Sequence, residues 1–261
     1  MRKNLNTFLI AILAATAPST ISSQNVDPKN EDQQDPLVDI INNLKKKSTV
    51  CLLQHSVYFN GGKALIQSKS FTGLVTDYDG LGRAYVITST STPNKRMSTL
   101  LGSEVLDLAE INYFAFDRND KIPLEIVEKK NNVTLLRTKY GSNIRTHKLD
   151  YKIEPNLVLQ DAASPLVILK LMEPDLVYAP ACERSGFRKE KPVEGLITDR
   201  GYDKDHFQVT FQDRIASTIG GPVFIVRSDG IYLGGLLEEQ SRDGKGVVIN
   251  VKELYDLLTT K

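Results

Sequence analysis

An all-β fold of barrel or sandwich type is what this 261-residue sequence predicts, and three observations predict it. From Thr49 onward, short apolar or alternating runs follow one another, with the length and period of strands rather than helices. Turn chemistry separates them, at Asn60-Gly61-Gly62, Asp79-Gly80, Asp117 to Asp120, Asp229-Gly230 and Asp243-Gly244. No internal repeat and no second composition divides this stretch, so one β domain takes up most of the chain.

The elements follow in order. Arg2 and Lys3 precede the apolar run Phe8 to Ala15 and the small-residue motif Ala15-Thr16-Ala17, so residues 1–17 read as an export signal. The run is shorter than the ~20 apolar residues that span a bilayer as a helix, although an uncleaved anchor is the alternative reading. No later segment is apolar enough to cross a membrane. Residues 18–35, rich in Asn, Gln, Asp and Pro, read as a flexible leader. Residues 36–261 form the folded domain. It opens with a short helix: Pro36 suits a first helical turn, Leu37, Ile40, Ile41 and Leu44 recur at helical spacing, and Lys45 to Lys47 suit its C-terminal dipole. Strands are expected at Thr49 to His55, Gly73 to Asp77, Ala84 to Thr88, Tyr113 to Phe116, Leu124 to Val127, Val133 to Arg137 and Leu166 to Leu171. The series continues with Gly195 to Asp199, Phe207 to Phe211, Pro222 to Val226 and Ile231 to Leu237. Val251 to Leu258 closes the chain as a helix, with Leu254, Leu257 and Leu258 on one face.

Composition excludes several function classes. With 41% hydrophobic and 25% charged residues the chain can bury a core. A formal charge of +1 and no basic block interleaved with aromatics argue against nucleic acid as a partner. No phosphate loop, cysteine metal knuckle or cofactor fingerprint occurs, and no cofactor or metal is expected. Asp203-Lys204-Asp205-His206 offers ligand-type side chains but reads as a solvated turn, with His206 a loop residue. The export signal implies a secreted or periplasmic protein. Cys51 and Cys182 agree with an oxidising compartment, as one disulfide or as two buried thiols.

The segment Ser217-Thr218-Ile219-Gly220-Gly221-Pro222, followed by Val223-Phe224-Ile225-Val226, is similar to the Gly-Asx-Ser-Gly-Gly-Pro motif around the attacking serine of trypsin-type proteases. Three further segments stand in the matching order. Thr72-Gly73-Leu74-Val75, the Asp79-Gly80 turn and Tyr85-Val86-Ile87-Thr88 resemble the hairpin that leads to the catalytic histidine. Asn132-Val133-Thr134-Leu135-Leu136-Arg137 resembles the strand that begins at the catalytic aspartate. Gly246 to Leu254 resembles the strand and helix that close the second barrel. The chain thus resembles the trypsin-like serine protease superfamily, nearest the Deg/HtrA type, over most of residues 36–261. The resemblance implies two six-stranded antiparallel barrels with short terminal helices. Deg-type proteases usually add a PDZ domain after the barrels, and none follows the closing helix in this sequence.

The same resemblance implies a degenerate site. Its histidine position falls near Ser91, its aspartate position on Asn132 and its serine position on Ile219, while Ser217 and Ile219 would supply the former oxyanion-hole amides and Gly220 and Gly221 the motif glycines. The reaction needs a serine that attacks, a histidine that takes its proton and an aspartate that fixes the histidine tautomer. An aliphatic side chain at the first position removes the covalent route. His55, His147 and His206 are the histidines present, and none has a motif spacing to Ser217 or Thr218. The expected function is that of a non-catalytic protease homologue that binds peptide or protein, since pairing to a strand edge needs no triad. Alternatives are an active serine endopeptidase with relocated residues and a secreted structural or host-interaction protein on a protease-like frame. Asn132-Val133-Thr134 is also a formal glycosylation sequon. Placed in an aspartate pocket, Asn132 is expected to be partly buried, with low occupancy by glycan.

Overall fold

The computed structural model describes residues 49–90, 92–98, 104–117, 120–141, 144, 150–161, 176–182, 190–211, 219–227, 229–241 and 243–259. The predicted export signal, leader and N-terminal helix, and the strand expected at Leu166 to Leu171, lie outside these residues. Among the described residues, no helix is long and apolar enough to cross a membrane.

Thirteen strands and one helix make up the described fold. The first seven are β1 (Thr49–Asn60), β2 (Lys63–Tyr78), β3 (Ala84–Ser89), β4 (Arg96–Ser98), β5 (Val105–Asp117), β6 (Asp120–Lys130) and β7 (Val133–Thr138). They pair antiparallel in the order β1-β2-β3-β7-β6-β5, and the β1–β5 pairing closes the ring into a six-stranded barrel, with β4 attached outside β5. The second set is β8 (Leu176–Cys182), β9 (Glu190–Asp199), β10 (His206–Phe211), β11 (Pro222–Arg227), β12 (Gly230–Gln240) and β13 (Lys245–Asn250). These close in the order β10-β13-β12-β11-β8-β9. Two closed six-stranded antiparallel barrels constitute the chymotrypsin-like fold. Helix α1 (Val251–Thr259) follows β13.

Local chemistry explains the turns. Asn60 pairs with Lys63, which leaves Gly61-Gly62 as a two-residue loop with φ of 55° and 90°. Positive φ at both central residues is what a type I′ hairpin requires, and glycine adopts it without steric cost. Between β2 and β3, the Asp79 carboxylate accepts the N–H groups of Leu81 and Arg83, each at 2.9 Å, and pairs with the Arg83 guanidinium at 2.7 Å. Burial alternates along β1, so Val50, Leu52, Gln54, Ser56 and Tyr58 point into the first barrel.

Three apolar clusters hold the domain. One fills the first barrel around Leu52, Phe71, Val86 and Leu136. Another fills the second around Phe207, Val209, Ile225 and Val248. The third lies where they meet. It joins Leu74, Ile87, Val133 and Leu135 of the first barrel to Phe224, Leu233 and Leu236 of the second and to Leu254, Leu257 and Leu258 of α1. Strand β7 therefore buries both faces, which is why Val133-Thr134-Leu135-Leu136 reads as a continuous run and not as an alternation. Cys51, on β1, is disulfide-bonded.

Two strands had no counterpart in the sequence reading. β4 is only Arg96–Ser98, too short to show a period. β8, Leu176–Cys182, carries Pro180 in its interior, a residue that weakens any strand assignment.

Candidate functional site

The Ile219-Gly220-Gly221 segment is built into the junction of the barrels by its backbone. Thr72 N–H donates to the Ile219 carbonyl at 2.9 Å, Gly220 N–H donates to the Leu237 carbonyl at 2.7 Å, and Leu237 N–H donates to the Gly221 carbonyl at 2.9 Å. Gly220 is buried with φ of 84°. A β-carbon there would overlap Thr88 Oγ1 and lie 2.8 Å from the carbonyl oxygens of both Ser89 and Thr72. Only glycine fits, on conformational and on spatial grounds. The half-buried Ile219 therefore stands between β2 of one barrel and β12 of the other. Ser217 and Thr218 lie outside the described residues.

Ser91 likewise lies outside the described residues, but the strand that leads to it is in place. Ser89 pairs with Val133, and Thr90 N–H donates to the Asn132 carbonyl at 2.8 Å. The Thr90 and Thr134 hydroxyls, both buried, share a hydrogen bond of 2.9 Å. Through these bonds Ser89, Thr90, Asn132, Ile219 and Gly220 gather at one junction.

Asn132 is exposed, which corrects the expectation of partial burial. The reason is the turn. Lys130 pairs with Val133, so Asn131 and Asn132 form the two-residue tip of the β6–β7 hairpin, with Asn131 at φ of 52°. A side chain at a hairpin tip leaves the barrel wall and faces solvent. Asparagine tolerates the left-handed conformation that the tip demands of its neighbour.

The Asn132 side chain is nonetheless held. Its amide donates to Glu238 Oε1, and Glu238 Oε2 stands 3.0 Å from His206 Nε2. On the other side of the ring, His206 Nδ1 lies 2.8 and 2.9 Å from the two oxygens of Asp203. The result is a relay Asn132–Glu238–His206–Asp203 that ties the tip of one barrel to two strands of the other. Asp203 also accepts the backbone N–H groups of Asp205 and His206, at 2.8 and 2.9 Å. Those bonds, led by the one from Asp205 and helped by the His206 side chain, hold its carboxyl below the ordinary value.

Sequence reasoning missed this relay for two reasons. The polar sequence around it places His206 in a loop, whereas it is the first residue of β10 and pairs with Ile249. Glu238 falls beyond the expected end of its strand. It is the extra residue of a β-bulge, because β12 shifts register between Leu237 and Glu239 against β13. A bulge turns one side chain away from its regular face, here toward the junction. The one signal available was the break of pattern at Leu237-Glu238-Glu239.

The other histidines do not join. His55 packs on Phe114, with ring centroids 5.2 Å apart. Burial, with a smaller push from Lys121, lowers its pKa. His147 lies outside the described residues. Among the described residues, no group of three or more His, Cys, Asp or Glu is arranged to hold a metal ion.

No protein-family model matches the chain, and no curated protein matches it. Solved structures do resemble it. A thermostable serine protease, AL20, from an extremophilic microorganism is 10% identical with a TM-score of 0.47, over 83% of this chain and 98% of that one. Kallikrein-related peptidase 10 in complex with Zn2+ is 12% identical with a TM-score of 0.43, over 79% and 93% respectively.

Proposed function

We propose that this protein is an exported, non-catalytic homologue of the two-barrel serine proteases that binds an extended segment of peptide or protein. One observation carries the reading. The residue ahead of the buried, positive-φ Gly220 is Ile219, which has no hydroxyl to attack a carbonyl. The histidine tied to the same junction supports it. A general base needs a ring nitrogen that faces the nucleophile, and both nitrogens of His206 are occupied by carboxylates.

Binding needs a surface, and β2 offers one. It pairs with β1 from Lys63 to Leu74, and its pairing with β3 begins only at Leu74. Among the described residues, no strand pairs with the other edge over Lys63–Ser70. Such an edge accepts an added strand through main-chain hydrogen bonds. Export fits the disulfide-bonded Cys51, since disulfides persist in oxidising compartments.

Two measurements on the full chain test the proposal. A fluorophosphonate probe should leave it unlabelled, whereas covalent labelling at any serine or threonine would sink the non-catalytic reading. A library of unstructured peptides, read by fluorescence anisotropy, should yield saturable binders. If none binds, the protease-like frame serves some other purpose.

A further inference from the structure

Of the two carboxylates that flank His206, one is anchored and the other is an arm. Asp203 accepts the backbone N–H groups of Asp205 and His206 at 2.8 and 2.9 Å. Its turn is in turn sewn to the start of α1, where Asn250 N–H donates to the Asp205 carbonyl at 2.8 Å. Glu238 stands at the β12 bulge, and among the described residues its carboxylate meets only the Asn132 amide and His206 Nε2. Imidazole chemistry makes this arrangement depend on one proton. The imidazolium donates from both nitrogens, whereas the neutral ring donates from one and presents a lone pair at the other. An ionised carboxylate only accepts. With carboxylate oxygens 2.8 and 2.9 Å from Nδ1 and 3.0 Å from Nε2, the charged ring satisfies both acids. The neutral ring must set a lone pair against one of them.

We propose that His206 is a proton-operated latch between the two barrels. Protonated, it holds Glu238 and, through Glu238, the Asn132 tip of the first barrel. Neutral, it keeps its Nδ1–H on Asp203 and releases Glu238, because Asp203 is fixed by two backbone bonds and Glu238 by none that an item of its own strand supplies. The surrounding charges leave the ring to these two acids. In the turn, Asp205 and Lys204 are both engaged by Lys252 of α1, whose Nζ lies 3.9 Å from Asp205 Oδ1 and donates to the Lys204 carbonyl. At the base of the tip, Lys130 of β6 pairs with Asp256 of α1 at 3.2 Å. The β13 partner of His206 is Ile249, which does not titrate. Leu237, next to Glu238, bonds Gly220 and Gly221, so the arm of the latch starts one residue from the strand that seats Ile219. None of this depends on what the protein binds.

The test is an NMR titration of the ¹⁵N-labelled full chain from about pH 5 to 8. The ring nitrogens of His206 should pass from imidazolium to the Nδ1–H tautomer, and the Asn132 side-chain amide should shift with the same midpoint. The Gly61 and Gly62 amides, at a distant hairpin, should not follow that midpoint. In Glu238→Gln, whose carboxamide can donate to Nε2 or accept from it, the Asn132 shift should be lost while His206 still titrates. An Nε2–H tautomer of the neutral ring overturns the proposal, because Asp203 would then be the acid released. An Asn132 amide that stays still while His206 titrates, or that still moves in Glu238→Gln, overturns it too. So does a ring that keeps one charge state across the range. If the variant does not fold, the tautomer and the shared midpoint in the wild-type chain decide.

Discussion

Gly220 shows how a single residue secures the junction of two barrels. Its φ of 84° excludes most side chains, and the space a β-carbon needs is taken by Thr88, Ser89 and Thr72. Gly220→Ala is expected to destabilise the protein by about 3 kcal/mol or more, from backbone strain and overpacking together, measured as a lower denaturant midpoint. Ile219 beside it is a separate matter, because its side chain carries no hydroxyl while its carbonyl accepts the N–H of Thr72. Ile219→Ser should fold normally and still resist fluorophosphonate labelling, since no ring nitrogen of His206 is available to take the proton. Asp203 provides a prediction in pH. Its carboxyl is held below the ordinary value of about 3.9 by the N–H of Asp205 and the His206 side chain. A depressed folded pKa adds stability above the unfolded value and loses it as pH falls through the folded one. Asp203→Asn should therefore flatten the acid limb of a stability–pH curve below about pH 4 while leaving the neutral limb nearly parallel to wild type. The group is solvent-exposed, so the effect is small.

Among the elements, β12 and α1 organise the site most directly. Regular pairing of β12 with β13 would point Glu238 along the same alternation as its neighbours. The bulge between Leu237 and Glu239 frees it to join Asn132 to His206, while Leu237 next to it bonds both Gly220 and Gly221. Glu238→Ala should thus loosen the β6–β7 tip, seen as faster amide exchange at Asn131 and Asn132, without disturbing the distal Gly61-Gly62 turn. Helix α1 starts with an N-cap at Asn250. Asn250 Oδ1 accepts Lys252 N–H at 3.1 Å, the bond an N-cap asparagine makes. Asn250→Ala is expected to cost about 1 kcal/mol. Leu254→Ala should cost about 2–5 kcal/mol, because Leu254 is fully buried in the apolar cluster that the two barrels share. Urea midpoints of the two variants check that ranking.

At the scale of the whole molecule, one apolar cluster shared by both barrels and α1 makes the described barrels a single packed body. A covalent tie adds to it. Cys51 of β1 is disulfide-bonded, and Cys182 of β8 is the only other cysteine in the chain. Pairing between them would close a loop that runs from the first barrel into the second. For loops of that length the entropic model gives about 4–5 kcal/mol. Reduction, or Cys51→Ser, should lower the denaturant midpoint accordingly, and peptide mapping without reductant should recover a Cys51–Cys182 cross-linked fragment. Two unlinked fragments would refute the pairing.

Reading the sequence was enough for what depends on local chemistry and period. Strands with clear alternation or turn residues at their ends, such as β3, β7, β10 and β11, were legible to within a residue, as were the Gly61-Gly62 turn and α1. The two-barrel plan was legible too, from the order of four motif-like segments. Strand lengths in β1, β2, β5 and β6 were not: the outer part of β2 is exposed on both faces, and the ends of the other three mix apolar with polar or charged residues. Tertiary structure alone decided the rest. Whether Asn132 was buried depended on a two-residue hairpin register, and the company of His206 depended on a bulge one barrel-width away in sequence. Periodicity reports which face of a strand is buried, but the partners that meet there are set by long-range pairing, which no local window contains.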